Sequence, residues 1–205
     1  FMNYHLYDGD LPDDYDAGAA IAIDTETLGL NPHRDRLCLV QMSRGDGSAD
    51  LVQIRRGQTR APNLEAILTN PAITKLFHFG RFDIAMLEKT FGVVTTPVYC
   101  TKIASRLART STDRHGLKDL CRELLGVDLS KQQQSSDWGA EKLSDAQIAY
   151  AASDVLHLHA LREKLDGLLK REQRQDIAQA CFDFLPMRAH LDLAGWPDID
   201  IFAHS

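Results

Sequence analysis

The sequence predicts an α/β domain built on a mixed sheet, and three observations carry that expectation. Three short apolar runs, at 19–24, 37–42 and 49–54, follow one another with room only for turns between them, which suits an antiparallel meander. Two further strand-like runs, 73–79 and 97–100, are interleaved with helical patterns at 62–70 and 81–91. Beyond Cys100 every patterned segment is helical. Strands mixed with helices, followed by helices alone, fit a layered α/β architecture.

Each element has its own local reason. The run 19–24 alternates Ala and Ile before Asp24, 37–42 is rich in Leu and Val, and 49–54 follows the turn-like RGDGS. PNLEAILTN (62–70) opens with Pro62, which is suited to a first helical turn. RFDIAMLEKTF (81–91) stops at Gly92, and GLKDLCRELLG stops at Gly126. TKIASRLA precedes the latter as another helix. The polar stretch LSKQQQSSDWGAEKLS reads as a loop leading into a long helix that starts near Ser144. There SDAQ makes a capping box, with Ser144 as N-cap and Gln147 at N3. The expected organisation is one domain over 2–205, with a core of about 19–170 and a C-terminal helical segment, 172–205. That segment carries Phe182, Phe184, Leu185, Met187, Leu191, Leu193 and Trp196, enough apolar surface for either core packing or a subunit interface.

Composition narrows the class of function. With 205 residues, 44% hydrophobic and 25% charged, the chain has the make-up of an ordinary globular protein. No apolar run approaches the ~20 residues of a membrane span, and the acidic N-terminal stretch lacks a signal-peptide layout. Cys38, Cys100, Cys121 and Cys181 show no metal-binding spacing; as free thiols they point to a reducing, cytoplasmic setting. The net charge of −6 is unlike that of proteins that hold long nucleic acids on a basic stripe. Basic residues come only in small groups, such as Arg34 with Arg36 and Arg106 with Arg109, Arg114 and Lys118. A short anionic ligand suits this balance better than a long one.

Chemistry is suggested by carboxylates in three segments. Asp24 and Glu26 lie two apart at the end of a strand, so they share one side. Asp83 falls on the first turn of the helix after the next strand, where a dipole-stabilised carboxylate would be the plain explanation. Tyr150 and Asp154 are four apart on the long helix, about 40° apart around its axis, and therefore share a face. Asp154 has no basic residue one turn away, since 151 is Ala and 158 is Leu. Gathering these acids is unfavourable unless a cation lies between them. All-oxygen donors suit Mg2+ or Mn2+, with two ions expected rather than one. Zinc fits less well, because no His or Cys stands at ligand spacing. His157 and His159 point to different sides of a helix and read as structural. His78 reads as packed or as a substrate contact. Trp138 and Lys131, in the loop before the long helix, read as a base-stacking ring and a phosphate contact, or as a core tryptophan and a solvated lysine.

Taken in order, Asp24-x-Glu26, Asp83 in HFGRFD and Tyr150-x-x-x-Asp154 resemble the three motifs of the DEDD superfamily of 3′→5′ exonucleases. Tyr150 stands where the tyrosine branch has its tyrosine, and Ala149 where the other branch has histidine. DTETLGL and KQQQSSDWGAEKLSDAQIAYAASDV are similar to ribonuclease D, and the length and HFGRFDIA are closest to the nanoRNase C group. The resemblance implies an RNase H-like fold, a mixed five-stranded sheet flanked by helices with a helical C-terminal part. It implies hydrolysis of short RNA, dinucleotides included, to nucleoside 5′-monophosphates by two metal ions. It also implies a homo-oligomer, an octamer in that group. Asp24, Glu26 and Asp154 would hold one ion, Asp24 would bridge to a second, and Asp83 would act there through water. Tyr150 would orient the attacking water, Thr27 would meet the 3′-terminal nucleotide, and Leu30 would wedge between the last two bases. Two departures bear on substrate grip: Glu141-Lys142-Leu143 replaces Arg-Pro-Leu, and Phe79 stands where many members have Asn. Trimming of longer or structured RNA ends, action on DNA, and a non-catalytic nucleic-acid-binding role remain as alternatives.

Overall fold

The computed structural model describes residues 3–130 and 132–205. Its centre is a six-stranded mixed sheet in the order β1-β4-β3-β2-β5-β6. Strands β2 (Ala20–Thr27), β3 (Leu37–Ser43) and β4 (Ser48–Gln53) form the expected antiparallel meander. Strands β5 (Thr74–Phe77) and β6 (Val98–Cys100) add in parallel beside β2. All residues of β3 and β4 are buried, as in a sheet covered on both faces.

The expected five strands become six because Asn3–Asp8 forms β1, parallel to β4. Its side chains are nearly all exposed, so no apolar alternation marks it. An edge strand of this kind is held by main-chain pairing, which leaves little trace in side-chain pattern.

Helices α1 (Pro62–Thr69), α2 (Gly80–Phe91) and α3 (Thr101–Ala108) follow the sequence expectation to within a residue or two. Helix α4 (Leu117–Leu120) continues as a π-helical turn, Cys121–Leu125, ended by left-handed Gly126. The long helix expected from Ser144 is two helices, α5 (Asp145–Ser153) and α6 (Leu158–Arg171). The start is as expected: Ser144 Oγ accepts from the Gln147 amide at 3.1 Å, and the Gln147 side chain accepts from the Ser144 amide at 2.9 Å. The break is local only in part. Ser153 Oγ donates to the Tyr150 carbonyl at 2.7 Å, a back-bond that bends helices, and residues 154–157 turn before α6 begins. His159 on α6 is structural, its Nε2 lying 2.8 Å from the Ala20 carbonyl on β2.

The C-terminal helix α7 (Gln175–Ala194) packs along α2. Arg81 donates twice to the Asp192 carboxylate, at 2.7 Å each, and once to the Pro197 carbonyl at 2.7 Å. Phe182 packs on Tyr99 with ring centres 4.5 Å apart. Phe182 and Leu185 are buried, whereas Phe184, Met187, Trp196 and Phe202 are exposed. No helix among the described residues is long and apolar enough to cross a membrane.

Candidate active site

Three elements meet at one end of the sheet. Strand β2 contributes Asp24 and Glu26 on one side because extended residues two apart point the same way. Helix α5 contributes Tyr150 from its last turn and Asp154 at its C-cap. Helix α2 contributes Asp83 from its first turn. One carboxylate oxygen each from Asp24, Glu26 and Asp154 lie within 4.8 Å of one another. Asp83 is 4% exposed, lines the same cavity and is not in that triplet. Its Oδ1 instead accepts a short hydrogen bond from the Thr25 hydroxyl.

The break after α5 changes the electrostatics at Asp154. The carboxylate sits at the negative end of a helix dipole rather than in mid-helix, so this end of the site carries more negative potential than the acids alone. Burial is the main reason that Asp24 is pushed up to about 6. Glu26 is pushed up to about 10, first by burial and then by Asp24, Asp154 and Asp83. Asp83 is raised well above the usual carboxylate range by burial and by Asp24. Gln41 acts as a counterweight to Glu26, its Nε2 lying 3.2 Å from Glu26 Oε1 and 3.4 Å from Asp24 Oδ2. Such a set holds protons tightly when empty and gains most from a hard cation, so the donors fit Mg2+ or Mn2+.

The remaining expected residues surround a cavity of about 640 Å³, within the range that encloses a small ligand. Thr27 donates from its hydroxyl to the Gly29 carbonyl at 2.6 Å, and Leu30 is 84% exposed. His78 Nδ1 lies 2.8 Å from Thr101 Oγ1, and that hydroxyl donates in turn to the Phe77 carbonyl at 3.1 Å. The ring is also within hydrogen-bonding reach of the His115 backbone. Burial, then Lys102, lowers His78 to about 3, so it is neutral. Trp138 lines the cavity yet is only 3% exposed, packed 6.0 Å from the Tyr150 ring; it is a wall rather than a free platform. Its Nε1 has no partner among the described residues. Tyr150 is raised by burial and by Asp154, Glu26 and Asp24, so its phenol keeps its proton at neutral pH. Lys131 lies outside the described residues.

Two contributors carry no signal that the sequence alone exposes, and a third residue shows its backbone conformation only in the structure. Gln41 reaches the acids because it is paired opposite Asp24 across β2 and β3, a fact of register. Thr25 meets Asp83 only once α2 is docked. Phe79 adopts a left-handed backbone, φ 58° and ψ 53°, which costs an ordinary residue about 1–2 kcal/mol. Asn tolerates that conformation better, so the backbone alone would favour Asn over Phe here.

Comparison with known proteins identifies the family. The 3′-5′ exonuclease family profile matches residues 10–170. Ribonuclease D of Acidiphilium cryptum is 38% identical over 156 residues, 76% of this chain and 39% of that protein. Ribonuclease D of Escherichia coli is 32% identical over 169 residues, 80% of this chain and 44% of that protein. The chain thus spans less than half the length of these curated relatives. Structures that match over the full length of both chains include Brucella melitensis NrnC (nanoRNase C) with bound Mg2+, at 59% identity and TM-score 0.95, and the same protein bound to pGG, at 60% and 0.96. The crystal structure of Escherichia coli RNase D aligns at 28% identity and TM-score 0.80, over 96% of this chain and 54% of that one. With its acidic triplet on β2 and α5, its buried Asp83 and its Tyr150 in the last turn before Asp154, the chain belongs to the 3′-5′ exonuclease family, as a DEDD nuclease of the ribonuclease D type.

Proposed function

We propose that the protein is a 3′→5′ exoribonuclease that hydrolyses short RNA, dinucleotides included, to nucleoside 5′-monophosphates. The observation that carries this is the set of three carboxylates within 4.8 Å of one another in a cavity sized for a small ligand. The full-length similarity to NrnC bound to pGG favours short RNA over the longer substrates of ribonuclease D, as does the chain's net charge of −6. Two divalent cations, when bound, would polarise the phosphodiester and supply a water-derived nucleophile. Asp24, Glu26 and Asp154 would hold them, with Asp83 completing the shell. Gln41 keeps the two β2 carboxylates aligned. Tyr150, protonated and braced by Trp138, donates a hydrogen bond that orients the attacking water. Thr27 and Leu30 fix the 3′ end and separate the terminal bases, and His78 lines the cavity as a substrate contact. Exposed Phe184, Met187, Trp196 and Phe202 support assembly into a homo-oligomer, and the four free cysteines suit a cytoplasmic setting.

The test is one set of initial rates on 5′-labelled RNAs of two, five and twenty nucleotides, with Mg2+ or Mn2+ and an EDTA control. Fastest cleavage of the dinucleotide is the expected result. Stepwise shortening of the twenty-mer with dinucleotides accumulating would replace this reading with that of a processing enzyme. Tyr150→Phe is expected to lower kcat by about 10- to 100-fold, in the range of lost orienting contacts, while Mg2+ affinity stays within about threefold. An unchanged kcat would remove Tyr150 from the mechanism.

A further inference from the structure

Phe79 combines three features that rarely coincide. Its backbone is left-handed, a region in which a bulky side chain is an outlier. Its side chain is 50% exposed and lines the catalytic cavity. The ring lies under a cation, with Lys102 Nζ 4.8 Å from its centre, a contact that steadies it. A residue placed here only to start α2 would bring a capping oxygen, and Phe79 makes no side-chain cap. A residue placed here only for packing would be buried.

The position determines what the ring can reach. Phe79 is the N-cap of the helix whose first turn holds Asp83, so ring and carboxylate belong to one rigid turn. The next residue tightens that turn further. A Cβ on Gly80 would lie 2.7 Å from Phe77 Cβ, so the backbone here sits close against β5 and has little freedom to re-aim the ring.

We infer that Phe79 is a specificity-determining residue, a platform on which one base of the bound RNA stacks at a fixed distance from the acidic site. This rests on the reading of the site as an RNA exonuclease. Stacking is tolerant of base identity because every base has a π-face. The platform therefore selects for the presence of a base at that position rather than for a particular base. Lys102, held over the same ring, brings a positive charge beside the stacked nucleotide. A strained and half-exposed aromatic at the cavity rim then has a reason: local backbone stability is given up for grip on substrate.

Phe79→Asn and Phe79→Tyr separate this from a structural role. Phe79→Asn relieves the backbone and should leave the melting temperature equal or higher, by up to about 4 °C. It should raise KM for the dinucleotide by roughly tenfold or more, the scale of one lost base–aromatic stack, with kcat little changed. Phe79→Tyr should restore the wild-type KM. A dinucleotide lacking one base should bind the wild type more weakly by a similar factor for one of its two abasic positions, and that penalty should vanish in Phe79→Asn. An unchanged KM in Phe79→Asn, or an abasic penalty that persists in it undiminished, overturns the inference while leaving the exonuclease reading intact. A wild type that shortens a twenty-mer but not the dinucleotide overturns only the length preference, and the same comparison is then made with abasic sites at the 3′ end of the twenty-mer. A wild type inert on both RNAs brings down the exonuclease reading and this inference together.

Discussion

Asp24→Asn is expected to abolish hydrolysis and, at the same time, to raise the melting temperature of the metal-free protein. Asp24 is a half-buried member of the acidic triplet. Losing a direct ligand should exceed the 10–100-fold typical of outer contacts, so a fall of at least about a thousandfold is expected. The stability effect has the opposite sign because the empty site is repulsive. Folding raises Asp24 to about 6 and Glu26 to about 10 from ordinary values near 4. Stability from these groups is fully present below the unfolded values and is lost as pH rises through the folded ones. Asn does not titrate, so its gain should be largest at pH 8 and disappear near pH 4. For Asp24 alone the shift corresponds to roughly 2–3 kcal/mol, or about 4–12 °C in a chain of this size. Thermal melts in EDTA across that pH range check it, and a lower Tm for Asp24→Asn at pH 8 would show that the carboxylate is held by favourable partners.

Magnesium should reverse the same repulsion. At a hundredfold excess over its Kd, an ion that binds only the folded state adds about 2.7 kcal/mol, a rise of roughly 5–11 °C in Tm. Binding requires the ionised carboxylates, and Glu26 is largely protonated at neutral pH in the empty site. The ion must therefore expel protons, and its apparent affinity should climb as pH rises from about 6. Calorimetric titrations at pH 7.5 in two buffers of different ionisation enthalpy should show net proton release. Equal apparent heats in both buffers would mean that the site is already ionised. Asp24→Asn should lose most of the thermal shift.

The acids were legible in the sequence because each obeys a short-range rule. Two residues apart in a strand, the first turn of a helix, and four apart on a helix are all patterns that survive without knowing the fold. Gln41 and Thr25 obey no such rule, since each acts on a residue of another strand or helix through register or docking. The helix break at Asp154 was hidden for a related reason. Val155, Leu156 and Leu158 continue an apolar helical pattern, while the turn is set by a serine back-bond and by the seat of His159 against β2. Strand β1 was hidden because an exposed edge is written in main-chain pairing.

The clamp between Arg81 and Asp192 has a consequence for how the site is tuned. Arg81 sits two residues from Phe79 and two from Asp83, and its side chain makes three hydrogen bonds to α7 or to the segment after it. Helix α7 lies beyond the stretch matched by the family profile, which ends at 170. A tilt of α7 would be passed through this forked ion pair to the turn that carries both the ring and the carboxylate. Substitutions near the C-terminus would then adjust the candidate site from a distance while leaving every cavity-lining residue unchanged.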